Sequence, residues 1–211
     1  MPDFEFENQY SSMIIAGVDE AGRGPWAGPV VAGAVIIKNH NLNDTLLSGL
    51  NDSKKLSSSK REMLYKQLFE AQNNGLVNIG IGQSSVAEID ELNILQATFL
   101  AMKRAVEALA QKPDLALIDG NQTPKNFCCH CQTIIKGDAR SYSISAASII
   151  AKVYRDRLMT DLAKQYPYYS FEKNAGYGTS AHIDGIKKHG IIKGVHRLSY
   201  KPIAKFLNTS L

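Results

Sequence analysis

Three short apolar runs in this chain each stop at an acid. Residues 13–18 end at Asp19-Glu20, residues 115–118 at Asp119, and residues 133–135 lead through Lys136-Gly137 to Asp138. Runs of this length, bounded by turn formers, read as buried strands. A carboxylate inside such a strand is costly unless paired. At the strand's mouth it reaches solvent and can meet a hard cation. Carboxylates gathered at one sheet edge repel each other, and divalent cations relieve that repulsion. An all-oxygen donor set selects Mg²⁺ or Mn²⁺ over Zn²⁺. Such a cluster suits two-metal phosphodiester hydrolysis, in which the protein need not supply a nucleophile. Consistent with that, there is no Gly-x-Ser-x-Gly elbow. One acid at a strand end is ordinary turn chemistry; three such ends are what raise the metal reading. Strand neighbours face opposite ways. Asp19 and Glu20 can therefore share a metal only if the chain twists at Glu20.

The remaining pattern places these strands in an α/β layout. Residues 30–37 form a second, β-branched run, separated from the first by a loop carrying Gly22, Gly24, Pro25, Gly28 and Pro29. So short a connection predicts an antiparallel pair. Residues 76–83 alternate as a third strand with Val77, Ile79 and Ile81 on one side. Ser85 and Glu88 make a capping box. A helical pattern follows, through Ile89, Leu92, Leu95, Phe99, Met102, Val106 and Leu109, with a break expected near Asn93. Residues 144–162 predict a long helix, and another starts near Ser180. The order is β-β-β-α-β-β-α: a mixed central sheet flanked by helices. Residues 1–165 form the core of a single domain, and 166–211 a small basic helical addition.

At 211 residues and 44% apolar composition the chain can bury one sizeable core. No apolar run approaches the roughly 20 residues that span a bilayer. The acidic, polar first 12 residues lack the basic start and apolar stretch of a signal peptide. The expectation is a cytoplasmic protein without membrane contact. Cys128, Cys129 and Cys131 surround His130. That spacing suits neither a disulfide framework nor one tetrahedral zinc, so reduced, partly buried thiols are expected. Residues 136–205 hold 13 Lys and Arg against 5 Asp and Glu, while the rest hold 11 against 15. A basic C-terminal third points to a polyanion, most simply nucleic acid.

The ordered motifs resemble the bacterial ribonuclease HII family over nearly the whole chain. Asp19-Glu20-Ala21-Gly22-Arg23-Gly24-Pro25, continuing through Ala27-Gly28-Pro29-Val30, is similar to its opening signature. Asp52-Ser53-Lys54-Lys55-Leu56 is similar to the next motif and Asp119-Gly120 to the third carboxylate. Lys136-Gly137-Asp138, with the following Ser145–Val153 stretch and Arg155-Asp156, resembles the fourth carboxylate and its helix. Gly176-Tyr177-Gly178-Thr179 with His182, and the run from His196 to Pro202, resemble the C-terminal motifs. The resemblance implies a ribonuclease H-like fold, with Asp19, Glu20, Asp119 and Asp138 as the catalytic, metal-binding set for Mn²⁺ or Mg²⁺. It implies an endonuclease cutting 5′ of ribonucleotides in RNA–DNA hybrids or singly embedded in duplex DNA. Gly22, Arg23 and Gly24 would contact the 2′-hydroxyl, the group that tells RNA from DNA. Tyr177 would pack on the sugar at the junction, and Ser53 and Lys54 would touch phosphates. His196 and Arg197 are left between fold and substrate. Trp26 and Tyr142 stand where the family often has aliphatics. The Cys-Cys-His-Cys stretch has no counterpart. The C-terminus, Phe206-Leu207-Asn208-Thr209-Ser210-Leu211, lacks a Gln-led, double-aromatic sliding-clamp peptide, and a monomer is the default expectation.

The competing readings are a related nuclease of different substrate, a non-catalytic nucleic-acid binder and a small-molecule phosphatase. The first would keep the acids without the Gly-Arg-Gly loop. The second would gain nothing from four acids. The third needs no basic tract, and neither an Asp-x-Asp nucleophile nor a P-loop is present.

Overall fold

A computed structural model describes residues 2–38, 42–50 and 56–208. Ser53 and Lys54 lie outside the described residues. A five-stranded mixed sheet forms the centre, in the order β3-β2-β1-β4-β5. Strand β2 (Val30–Ile37) pairs antiparallel with β1 (Ile15–Ala21) on one side and β3 (Val77–Ser84) on the other, while β4 (Leu115–Asp119) and β5 (His130–Ile134) add in parallel on the other side of β1. The parallel strands therefore point their C-terminal ends the same way, and Asp19, Glu20 and Asp119 arrive at one edge.

Alternation divides the sheet's two faces. Val35 and Ile37 of β2 and Val77 and Ile79 of β3 face α3 (Ser58–Asn73) and α6 (Tyr142–Gln165). Ala32, Ala34 and Ile36 of β2, with Ala16 and Val18 of β1, face α5 (Ile94–Glu107). Residues such as Ile149, Ile150 and Ala101 are fully buried, and each large aliphatic so covered contributes about 1.5–3 kcal/mol. Glycine sets how closely α6 lies on the sheet. Gly33 is the β2 partner of Asp19, and a Cβ there would stand 2.5 Å from the Ala147 carbonyl oxygen. The bare backbone lets α6 settle against β1 beside Asp19.

Local signals explain the helix starts. Ser85 accepts from the Glu88 amide while Glu88 reaches back to the Ser85 amide, the expected capping box at the head of α4 (Val86–Leu92). The break at Asn93 is real: φ is 69°, and its side chain accepts from the Leu95 and Gln96 amides to cap α5. Beyond α6 come short α7 (Phe171–Asn174), α8 (Ser180–His189) and α9 (Lys201–Asn208). They pack around Tyr169, Phe171, Ile186 and Ile203, a separate apolar cluster that reaches Met159 and Ala163 of α6.

Four expectations need correction. The β-β-β order omitted α3, whose Leu64, Tyr65, Leu68 and Ala71 are buried and whose Ser57 caps it. The short helices α1 (Glu5–Asn8) and α2 (Asp44–Gly49) were also not foreseen. Strand β5 begins at His130, three residues earlier than the β-branched run suggested, because pairing with β4 starts at Leu115↔His130. No break in the ladder marks Glu20: β1 stays in register through Ala21↔Val31, and the Glu20 charge still acts on the Asp19 carboxyl. The chain turns at Gly22 instead, where φ is 99°.

Candidate active site

The site is built at the carboxyl ends of β1 and β4. Asp19 is buried, at 5% exposure, on the face of β1 that α6 covers. The Glu20 amide donates to its Oδ1 at 2.7 Å, and the Ser148 hydroxyl of α6 hydrogen-bonds it as well. Burial holds the Asp19 carboxyl well above the usual carboxylate range, with the nearby charges of Glu20 and Asp119 adding to the effect. Asp119 stands one strand over, and its Oδ1 accepts from the Gly137 amide at 2.7 Å. That bond draws the 3-10 turn Gly137–Ala139 against β4, so buried Asp138 follows directly on a residue tied to Asp119. Glu20 is half-buried at the lip, where its carboxylate lies 3.4 Å from Arg23 Nη1.

Asp19, Glu20 and Asp119 thus share one electrostatic neighbourhood, and Asp138 is tethered beside it. Among the described residues no three His, Cys, Asp or Glu side chains converge as a ready ligand cage. The donor set nonetheless fits a hard divalent cation: every candidate ligand is a carboxylate oxygen. The Asp19 carboxyl is raised first by burial and then by the charges of Glu20 and Asp119, and a bound cation would offset both.

The glycine loop leaves β1 next to these acids. A Cβ on Gly22 would run into the Arg155 guanidinium, and its φ of 99° favours glycine in any case. A Cβ on Gly24 would stand 3.3 Å from the ring of Tyr177, which is 50% exposed. Arg23 therefore reaches Glu20 from within the loop, and Tyr177 lies against the loop at Gly24. The loop is sewn to the C-terminal segment by backbone bonds from Trp26 to Gly176 O, from Gly28 to Val195 O and from Arg197 to Trp26 O. Trp26 packs on Gly178 and lies 6.0 Å, ring to ring, from His182.

Over residues 16–203 the chain matches the family model described as "Ribonuclease HII". The chain belongs to the ribonuclease HII family. A ribonuclease HII of Jannaschia sp. is 50% identical over 206 residues, 98% of each chain. The solved ribonuclease H2 of Pyrococcus horikoshii superposes with a TM-score of 0.75 at 28% identity, covering 93% of this chain and 98% of that one. The Bst ribonuclease HIII solved with Mn²⁺ superposes at a TM-score of 0.72 and 18% identity, covering 100% of this chain and 74% of that one, which is a likeness of fold. Family and fold together make this chain a ribonuclease H-type hydrolase of α/β architecture, as the motifs implied.

Several motif residues behind the site had no role assigned from the sequence. Arg155 is buried and donates to the carbonyls of Pro29, Ala175 and Ala27. Burial, with Arg197 beside it, pulls its guanidinium down to about 10. His182 and His196 are fully buried with their Nε2 atoms 3.1 Å apart. The Ile192 amide donates to His196 Nδ1, and His182 Nδ1 lies 2.9 Å from Tyr177 O. Two neutral rings complete this chain: His196 donates through Nε2, and His182 donates through Nδ1 to the Tyr177 carbonyl. Burial pushes His196 down to about 4, with His182 opposing its charge, and burial lowers His182 as well. His196 and Arg197 are both completely buried, so neither meets a substrate directly. Exposed-residue heuristics miss them because buried cations and histidines are uncommon. Cys128, Cys129 and Cys131 are half-buried near the start of β5 and pack on the α5-side core, away from the carboxylates.

Proposed function

We propose that this ribonuclease H-type enzyme hydrolyses the phosphodiester bond 5′ of ribonucleotides, in RNA–DNA hybrids and at single ribonucleotides embedded in duplex DNA. The products are 3′-hydroxyl and 5′-phosphate ends. The observation that carries the reading is the continuity of Asp19-Glu20 with the Gly22-Arg23-Gly24 loop, faced by half-exposed Tyr177. A carboxylate cluster and a ribose-reading surface on adjacent residues put the cut next to the 2′-hydroxyl. In this reading Asp19, Glu20, Asp119 and Asp138 hold two divalent ions, Mn²⁺ or Mg²⁺. When bound, such ions polarise the scissile phosphate and offset charge that develops on the leaving oxygen.

The chain's own residues do the rest. The loop's backbone approaches the 2′-hydroxyl, because glycine puts no Cβ in the way. Tyr177 packs on the deoxyribose at the junction, where a 2′-hydroxyl would crowd it. Arg23 and the basic C-terminal third hold phosphates, with Ser53 and Lys54 as further phosphate contacts. Ser148 and the Glu20 amide fix the Asp19 carboxylate so that it need not reorganise. The whole chain acts as one catalytic domain and, in this reading, as a cytoplasmic monomer. No helix among the described residues is long and apolar enough to cross a membrane.

The test is cleavage of an end-labelled DNA duplex carrying one ribonucleotide, with an all-DNA duplex and a chelator as controls. One metal-dependent nick on the 5′ side of the ribonucleotide supports the reading. Cleavage of long hybrids alone would remove the junction role of Gly22-Arg23-Gly24. Binding without cleavage under Mg²⁺ and Mn²⁺ would favour a non-catalytic binder.

A further inference from the structure

We infer that Arg197 and Tyr200 are positioning residues that set ribose discrimination by fixing the peptide planes of the Gly22-Arg23-Gly24 loop from below; this rests on the proposed reading of that loop. Arg197 is completely buried, and no carboxylate is within salt-bridge distance of it among the described residues. Its Nε donates to Gly28 O at 3.0 Å. Nη1 donates to Arg23 O and the Tyr200 hydroxyl, both at 2.9 Å, and Nη2 donates to Gly22 O at 2.6 Å and Gly28 O at 2.8 Å. A guanidinium has five N–H donors, and all five are used on neutral oxygens. The Tyr200 hydroxyl, which accepts one of them, donates in turn to Arg23 O at 2.6 Å.

These bonds determine what the loop shows on its other side. A trans peptide carries its C=O and N–H on opposite edges of one plane. With the Gly22 and Arg23 carbonyls turned inward to Arg197 and Tyr200, the Arg23 and Gly24 amides must turn outward. Neither amide donates a hydrogen bond within the described residues. Two adjacent free donors are thus presented beside half-exposed Tyr177 and the Asp19-Glu20 strand end. Their aim depends on a buried fork that lysine, with three donors on a flexible stem, cannot reproduce. Asp90 steadies the same segment by accepting from the Leu198 and Ser199 amides.

The test measures steady-state nicking of the single-ribonucleotide duplex, with an all-DNA duplex as competitor. Wild type is compared with Tyr200→Phe, which removes one oxygen, and with Arg197→Lys. For Tyr200→Phe the inference expects KM to rise about fivefold, the scale of one lost hydrogen bond. It also expects kcat to hold within about twofold, since binding rather than chemistry is touched. The inhibition constant of the all-DNA duplex should stay put, so the ratio of that constant to KM falls. Arg197→Lys should lower the ratio further, although it keeps the charge. If Tyr200→Phe leaves the ratio unchanged, or weakens both duplexes equally, the inference is overturned while the reading of the loop stands. Wild type that fails to nick the duplex overturns that reading, and the inference with it. Thermal melting of each variant separates an unfolded Arg197→Lys from a misaimed loop, and Tyr200→Phe decides the matter if Arg197→Lys does not fold.

Discussion

Acidification should loosen this protein through one buried pair of histidines. In the folded chain His196 titrates at about 4, against 6.5 ordinarily. The unfolded chain therefore takes up a proton as pH falls below 6.5, while the native state resists until about 4. The stability contributed by the neutral ring is fully present above 6.5 and is lost between 6.5 and about 4. At about 1.4 kcal/mol per pH unit of separation the complete loss is about 3 kcal/mol, of which about 2 kcal/mol falls between pH 7 and pH 5. His182, lowered by burial, moves stability in the same direction. Asp19 works the other way: its carboxyl is raised by burial and by Glu20 and Asp119, so it disfavours the native state less as pH falls. The measured quantity should therefore be a difference between proteins. Urea unfolding in chelator, followed by fluorescence of the single tryptophan, Trp26, reports directly on this region. His196→Gln should be less stable than wild type at pH 7, yet lose about 2 kcal/mol less on going to pH 5. Equal pH losses in the two proteins would refute the argument, as would a ring proton of His196 titrating near its ordinary value.

Three further outcomes follow from the geometry. Asp19→Asn should reduce nicking by at least about a thousandfold if Asp19 is a metal ligand, while raising the melting temperature in chelator, because a buried carboxylate beside Glu20 and Asp119 is neutralised. Wild-type turnover in that variant would remove Asp19 from the site. Ser85→Ala should cost about 1 kcal/mol in urea unfolding through loss of the capping box; no change would mean that the Arg104–Glu88 pair alone holds the start of α4. Gly22→Ala should lower both stability and nicking, because the Cβ meets Arg155 at a φ of 99°; an unaffected enzyme would show that the loop can move aside.

Much of the fold was readable because local chemistry and tertiary packing agree. Ser85 and Glu88 are close in sequence, so their capping box needed no tertiary knowledge, and Asn93 breaks the helix where a break was expected. Strands β1 and β2 were legible as apolar runs bounded by turn formers. Helix α3 was not, because Lys60, Arg61, Glu62, Lys66 and Glu70 are interspersed with its few apolar positions. The early start of β5 was hidden because Cys131 and Gln132 carry no strand signal and are recruited by pairing with Ala116 and Leu117.

The sequence alone determined the acids at strand ends, the glycine loop and the family they signal, since each is a run of neighbouring residues whose spacing is itself the message. Only the tertiary structure decided that Arg197 spends four of its five donors on carbonyls as far away in the chain as Gly22, and the fifth on the Tyr200 hydroxyl. It also decided that His196 donates to a ring 14 residues earlier and that Gly33 makes room for α6 beside Asp19. The physical reason is that burial and hydrogen-bond partnership belong to pairs of surfaces. A lone Arg or His in a sequence has the same chemistry whether it faces water or a row of carbonyls, and only packing determines which.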